Sequence, residues 1–211
     1  MSLHSTVDKH LKESRGSFIV DRQANKLFAR KTTLLLFLSR LLIFRYCLNV
    51  PDSDRTFTSA RWTLLQVCPH VLFKNDIFEI LFIEVLKLRH HRESDLLDLV
   101  RDEYEQGKDS LIRHGCLPKI QDDTRLLVVH DEAQFLGDEF NGDFQSMSSS
   151  DESPRPLLSP ILHAFRDIGQ HHLTLVTCGT GLSINTLYWV QSSGSGLKDS
   201  STDFEVTNQY Q

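Results

Sequence analysis

The chain has 211 residues, 40% hydrophobic and 24% charged, the composition of an ordinary water-soluble globular protein of one domain or one and a half. Its 23 basic residues are outnumbered by 28 acidic ones, and the net charge of −5 argues against nucleic-acid binding as its main business. The four cysteines, Cys47, Cys68, Cys116 and Cys178, form no C-x-x-C pair; they read as reduced, buried small side chains, not as a disulfide framework or a zinc site.

Residues 1–20 read as a polar N-terminal tail, with His4, Asp8, Lys9, His10, Lys12, Glu13 and Arg15 and no apolar core of a secretory signal. Residues 21–115 read as a mainly helical region. Leu34, Leu38, Leu41, Leu42 and Arg45 keep helical spacing along residues 21–48 and predict a helix with a wide apolar face. Its most apolar part, Thr33 to Leu48, is broken by Arg40 and Arg45 and is shorter than the ~20 residues of a membrane span. A buried helix is therefore expected, with no membrane as partner. Pro51, Asp52, Ser53 and Asp54 end it in a turn. A second helix is expected from near Ser59 through Trp62, Leu64 and Leu65 towards Cys68, stopped by Pro69. Asn75 or Asp76 caps a third, with Phe78, Leu81, Phe82, Val85, Leu86 and Leu88 on one side, and Ser94 or Asp95 caps a fourth through Leu96, Leu97, Val100 and Tyr104.

The texture then changes. Leu126-Leu127-Val128-Val129 and Leu173-Thr174-Leu175-Val176-Thr177 are short unbroken apolar runs, the pattern of strands buried on both faces of a parallel sheet. Between them a loop is expected from Gly137 to Ser159 and a helix from Pro160 to Ile168, which together make a βαβ crossover. Within that loop Gln145 to Pro156 is Ser-rich and polar. Ser153 before Pro154 has the form of a phosphorylation site, although a plain surface loop is the simpler reading. Leu182 to Val190 reads as helical, and residues 191–211 as a Ser/Gly-rich tail.

The chemistry sits at the end of the first run. Asp131 and Glu132 follow Leu126 to His130, so two acids stand at the carboxyl end of a buried strand, where doubly wound sheets open their ligand crevice. An Asp there can hold Mg²⁺ against nucleotide phosphates, and a following Glu can take a proton from the attacking water. Four apolar residues followed by such acids make the Walker B strand of a P-loop NTPase-type fold. The second run would place a polar sensor beside the γ-phosphate; Thr177 is the first choice and Thr180 the second. Gly179-Thr180-Gly181-Leu182-Ser183 begins like a dinucleotide fingerprint, but Ile184 holds the third glycine position and a tight turn is the simpler reading. Gly194 to Ser200 lacks Gly-Lys-Ser/Thr and a preceding buried strand, so it is no phosphate loop. The pairs His90-His91 and His171-His172 show no ligand spacing. No G-x-x-x-x-G-K-S/T occurs anywhere, so the loop and lysine that grip the β- and γ-phosphates are missing.

Residues 126–140 (Leu-Leu-Val-Val-His-Asp-Glu-Ala-Gln-Phe-Leu-Gly-Asp-Glu-Phe), Leu-Ser-Pro-Ile-Leu-His-Ala-Phe-Arg at 158–166 and Leu-Thr-Leu-Val-Thr-Cys-Gly-Thr-Gly-Leu-Ser at 173–183 carry a resemblance. Together with Thr56 to Pro69, they resemble the AAA/STAND-like P-loop NTPase domain of fungal Crinkler-type proteins, over roughly residues 20–205. The resemblance implies ATP and Mg²⁺ as cofactors, Asp131 as metal ligand, Glu132 as catalytic base and Thr177, or Thr180, as sensor. It also implies an N-terminal delivery header and often a C-terminal toxin-like or nuclease-like domain. This sequence departs from the pattern: it has no Leu-Phe-Leu-Ala-Lys header, no Walker A loop and no downstream arginine-finger region.

The expected fold is thus α/β, a partial P-loop NTPase core at 120–190 (parallel sheet with flanking helices) preceded by the helical region. The expected function is an incomplete ATPase-type module, inactive alone, whose partner is a protein or the missing N-terminal NTPase half. The alternative is an interaction module using the helical region. A helicase reading from Asp-Glu-Ala-Gln is the weakest, since no helicase motif I is found. A cytoplasmic location is expected, with the family also implying delivery to a host cell or nucleus.

Overall fold

A computed structural model describes residues 2–14, 21–50, 58–69, 73–115, 125–130, 133–146, 154–169 and 172–179. In chain order its helices are α1 (Leu3–Ser14), α2 (Arg22–Asn49), α3 (Ser59–Val67), α4 (Ile77–Val85), continued by a 3-10 turn (Leu86–His90), α5 (Glu93–Arg113), α6 (Ala133–Asp138) and α7 (Leu158–Ile168). Its strands are β1 (Leu126–His130), β2 (Phe144–Gln145), β3 (Pro154–Arg155) and β4 (Leu173–Thr177).

The apolar spacing of α2 makes it the axis of the molecule. Asp21 caps it, its carboxylate accepting from Ala24 N at 2.9 Å, and 28 residues follow without a break. Leu34, Leu35, Leu38 and Leu41 are buried against Leu96, Val100 and Tyr104, which recur every four residues on α5. Phe82 and Val85 of α4, Ala164 and Ile168 of α7 and Leu173 of β4 complete one core. The helical region and the strand-bearing region therefore share a single hydrophobic interior. Among the described residues no helix is long and apolar enough to cross a membrane.

Ion pairs lock the same elements. Arg30 of α2 donates through Nε to Glu93 Oε1 at 2.6 Å and also pairs with Asp167, at the far end of α7. Arg45 pairs with buried Glu103 of α5, and Arg101 Nε donates to the Ile168 carbonyl at 3.1 Å. These charges lie at the joints between helices, where burial strips away water and makes partners obligatory.

The sheet is a parallel pair. β1 and β4 run in register from Leu126↔Leu173 to His130↔Thr177, with α7 in the connection. β2 and β3 form a separate two-residue antiparallel ladder, Phe144↔Arg155 and Gln145↔Pro154. The fold is thus mixed α/β, mostly helical, with a small parallel sheet among the described residues.

Four sequence expectations change. The strands are not buried on both faces: Leu127 is 61% exposed and Val129 57%, while Leu126 and Val128 pack on the core. The helices of the described residues cover one face of the pair and leave the other bare, so unbroken apolarity did not mean two-sided burial. The polar tail contains α1, whose Val7 and Leu11, four residues apart, are buried with Ala29 and Phe144; that short stripe is hidden among charges in the sequence. The loop expected from Gly137 to Ser159 holds the end of α6, the β2–β3 ladder and the first turn of α7, which begins at Leu158 rather than Pro160. Capping splits in the same way. Asp76 caps α4 as expected, but α5 starts at Glu93 with no side-chain cap, so neither Ser94 nor Asp95 has that role.

Candidate functional site

The carboxyl end of β1 is held by backbone bonds to the residue just after β4. Cys178 N donates to the His130 carbonyl at 3.0 Å, and Ala133 N donates to the Cys178 carbonyl at 3.0 Å. The last residue of β1 and the first of α6 are thus both bonded to Cys178. Asp131 and Glu132 themselves, like Thr180, lie outside the described residues, as do Ser153 and Cys116. Thr177, the first-choice sensor, is described. It is half-buried and in register with His130, so it stands at the level where β1 gives way to the two acids. Cys178 forms no disulfide, and its Sγ donates to the His130 carbonyl at 3.7 Å; Cys47 and Cys68 form none either, and burial raises the Cys47 thiol above its ordinary range.

Alternation along each strand puts His130 and Thr177 on the face of Leu126, Val128, Leu173 and Leu175, the covered one. There His130 lines a cleft of about 650 Å³, within the range of small-molecule sites. Leu36 and Arg40 of α2, Phe78 and Phe82 of α4 and Phe135 of α6 give it apolar walls with one cation. The Arg40 guanidinium carbon lies 4.1 Å from the centre of the Phe78 ring. Burial lowers the Arg40 pKa, with the Asp76 carboxylate acting in the opposite direction. The Asp76 carboxylate also caps α4, accepting from Phe78 N at 2.8 Å and Glu79 N at 3.1 Å. At the rim His4 Nε2 of α1 lies 2.7 Å from Glu139 Oε2.

Sequence reading missed Arg40 as a site residue and took it only as a break in an apolar run. The available signal was a charge in the middle of a helix with a wide apolar face, which must point either to water or into a lined cavity. A second histidine stands out elsewhere. His163 of α7 is 3% exposed, and burial, reinforced by Arg166, Arg30, Lys26 and Arg155, lowers its pKa to about 3. It is a neutral structural side chain at physiological pH.

The described residues do not by themselves make a complete Mg²⁺-ATP site. Phosphates need a run of backbone N–H groups and a positive charge. Here the amide of Cys178 is spent on the His130 carbonyl and that of Ala133 on the Cys178 carbonyl. The cation of the cleft comes from α2, and no Gly-Lys-Ser/Thr exists in the sequence. Among the described residues no group of three or more His, Cys, Asp or Glu side chains is arranged to hold a metal ion. No hydrolytic step follows from this geometry.

Compared with protein-family models, with curated proteins and with solved structures, the chain matches none.

Proposed function

We propose that the chain is the Walker B half of a P-loop NTPase-type module, similar to that of Crinkler-type proteins, incomplete and without turnover by itself. One observation carries the reading: β1 and β4 pair in parallel with His130 opposite Thr177, so the acids that follow β1 and the polar residue that ends β4 belong to one end of one sheet. That is the end where parallel sheets bind ligands. In this reading Asp131 is the metal ligand, Glu132 the base and Thr177, with Thr180 as the alternative, the sensor. ATP and Mg²⁺ are completed by a partner polypeptide that supplies the phosphate loop. The test is phosphate release from Mg²⁺-ATP by the purified chain. It is expected to equal that of the Asp131→Ala variant, both at background. Turnover that Asp131→Ala abolishes would mean the module is complete and the reading wrong.

A second reading, an interaction module, draws on a different observation. Leu127, Val129 and Val176 leave a bare apolar stripe on the outer face of the sheet. The two readings meet if the partner that covers the stripe is the one that brings the phosphate loop.

A further inference from the structure

We propose that Arg40 is an oxyanion seat, binding a phosphate or carboxylate group of a small ligand in the cleft at the carboxyl end of β1. The inference deepens the reading above, resting on it for where the ligand side of the sheet lies; the chemistry of Arg40 stands on its own geometry.

Arginine carries five N–H donors and keeps its charge even when partly buried. Arg40 nonetheless makes no hydrogen bond or ion pair with any described residue; its recorded contact is the face of the Phe78 ring. Three other arginines of the helical joints behave differently. Arg30 is satisfied by Glu93 and Asp167, and the half-buried Arg45 and Arg101 by Glu103 and by α7 carbonyls. Three carboxylates line the same cleft, Asp76, Glu79 and Glu139, and each has a partner of its own. Asp76 accepts two α4 amides and Glu139 lies against His4. With its guanidinium carbon over the Phe78 ring and its N–H groups bonded to no described residue, Arg40 has the paired donors that suit bidentate capture of an oxyanion. The apolar remainder of the cleft, Leu36, Phe82 and Phe135, accommodates an apolar or aromatic body attached to that group. In a chain without a phosphate-loop lysine, α2 would then supply the positive charge.

The test is calorimetric titration of the full chain, metal-free and at low salt, with inorganic pyrophosphate in one arm and citrate in the other. Saturable binding with a Kd of about 1 mM or tighter is expected in at least one arm, and the arm that binds more tightly names the oxyanion. Arg40→Gln is expected to weaken it at least about tenfold, with Arg40→Lys between the two, because a point charge replaces a fork. Val129→Lys, on the outer face of the sheet, is expected not to weaken it, and the absence of metal separates this inference from the metal reading. Absence of saturable binding in both arms overturns the proposal. So does equal binding by wild type and Arg40→Gln, the result expected if Arg40 only clamps α2 to α4 through Phe78. Should Arg40→Gln not fold, phenylglyoxal labelling of the wild type decides: the tighter anion must slow modification of the Arg40 peptide, and unaltered labelling overturns the seat.

Discussion

The two faces of the β1–β4 pair have nearly the same residue types and opposite fates. Leu126, Val128, Leu173 and Leu175 pack on the α2–α5–α7 core, whereas Leu127, Val129 and Val176 stand in the open. Strand chemistry is therefore no guide to which face is covered; that depends on the helices that flank it. The inner face belongs to a finished interior, held by close packing and by ion pairs at the helix joints. The outer face belongs to a sheet layer that the described residues leave uncovered.

The contrast is broken most strongly by truncation on each face. Leu173→Ala, with the side chain 6% exposed, is expected to destabilise by about 3 kcal/mol in urea unfolding. Val129→Ala, at 57% exposure, is expected to change stability by less than about 0.5 kcal/mol. Equal losses would mean that the outer face is covered in solution. Next in size is Arg30→Met, which leaves the carboxylates of Glu93 and Asp167 facing each other at the joint of α2, α5 and α7. Because both acids keep partial solvent access, the expected loss is about 2 kcal/mol, below that of a fully buried pair. Unchanged unfolding would show the joint to be held by packing alone.

A pH profile sharpens the same interior. His163 titrates at about 3 in the folded chain, below the ordinary value of 6.5. Protonation thus favours the unfolded state. The stability that neutral His163 maintains is complete above about pH 6.5 and is lost progressively as pH falls towards 3. His163→Gln is expected to flatten that part of the profile; an unaltered slope would assign it to other groups, such as His10, whose pKa burial also lowers. The smallest expected effect is on the bare face. Val129→Lys should leave the unfolding midpoint nearly unchanged while reducing self-association in light scattering, since a charge blunts an exposed apolar strand face. A large loss of stability would contradict an open face.

Much of the helical architecture was legible because helical periodicity reports one buried stripe at a time. Leu34, Leu38 and Leu41 define α2, Phe78 and Phe82 define α4, and Leu96 and Val100 define α5, each with its apolar side inward. Asp76 was readable as a cap because a short acceptor preceding an apolar run has few other uses. Both strands were legible as strands, and their parallel pairing followed from the intervening helix. What was not legible depends on distant parts of the chain. One-sided burial of Val129 against Val128 is decided by what packs on each face, and α1 is fixed by two residues, Val7 and Leu11, amid charges. Within the candidate site, the position of Thr177 beside the end of β1 followed from strand order, whereas the cleft and Arg40 arise from α2, α4 and α6 meeting, which no local motif records.

The most direct measurement is Mn²⁺-ATP binding to the purified chain, followed by electron paramagnetic resonance, for the wild type and for Asp131→Asn. The account predicts the same Mn²⁺ signal for both, with circular dichroism unchanged, because Asp131 holds a metal only against phosphates that a phosphate loop positions. Mn²⁺ uptake by the wild type that Asp131→Asn loses would show a site complete within this chain and contradict the account.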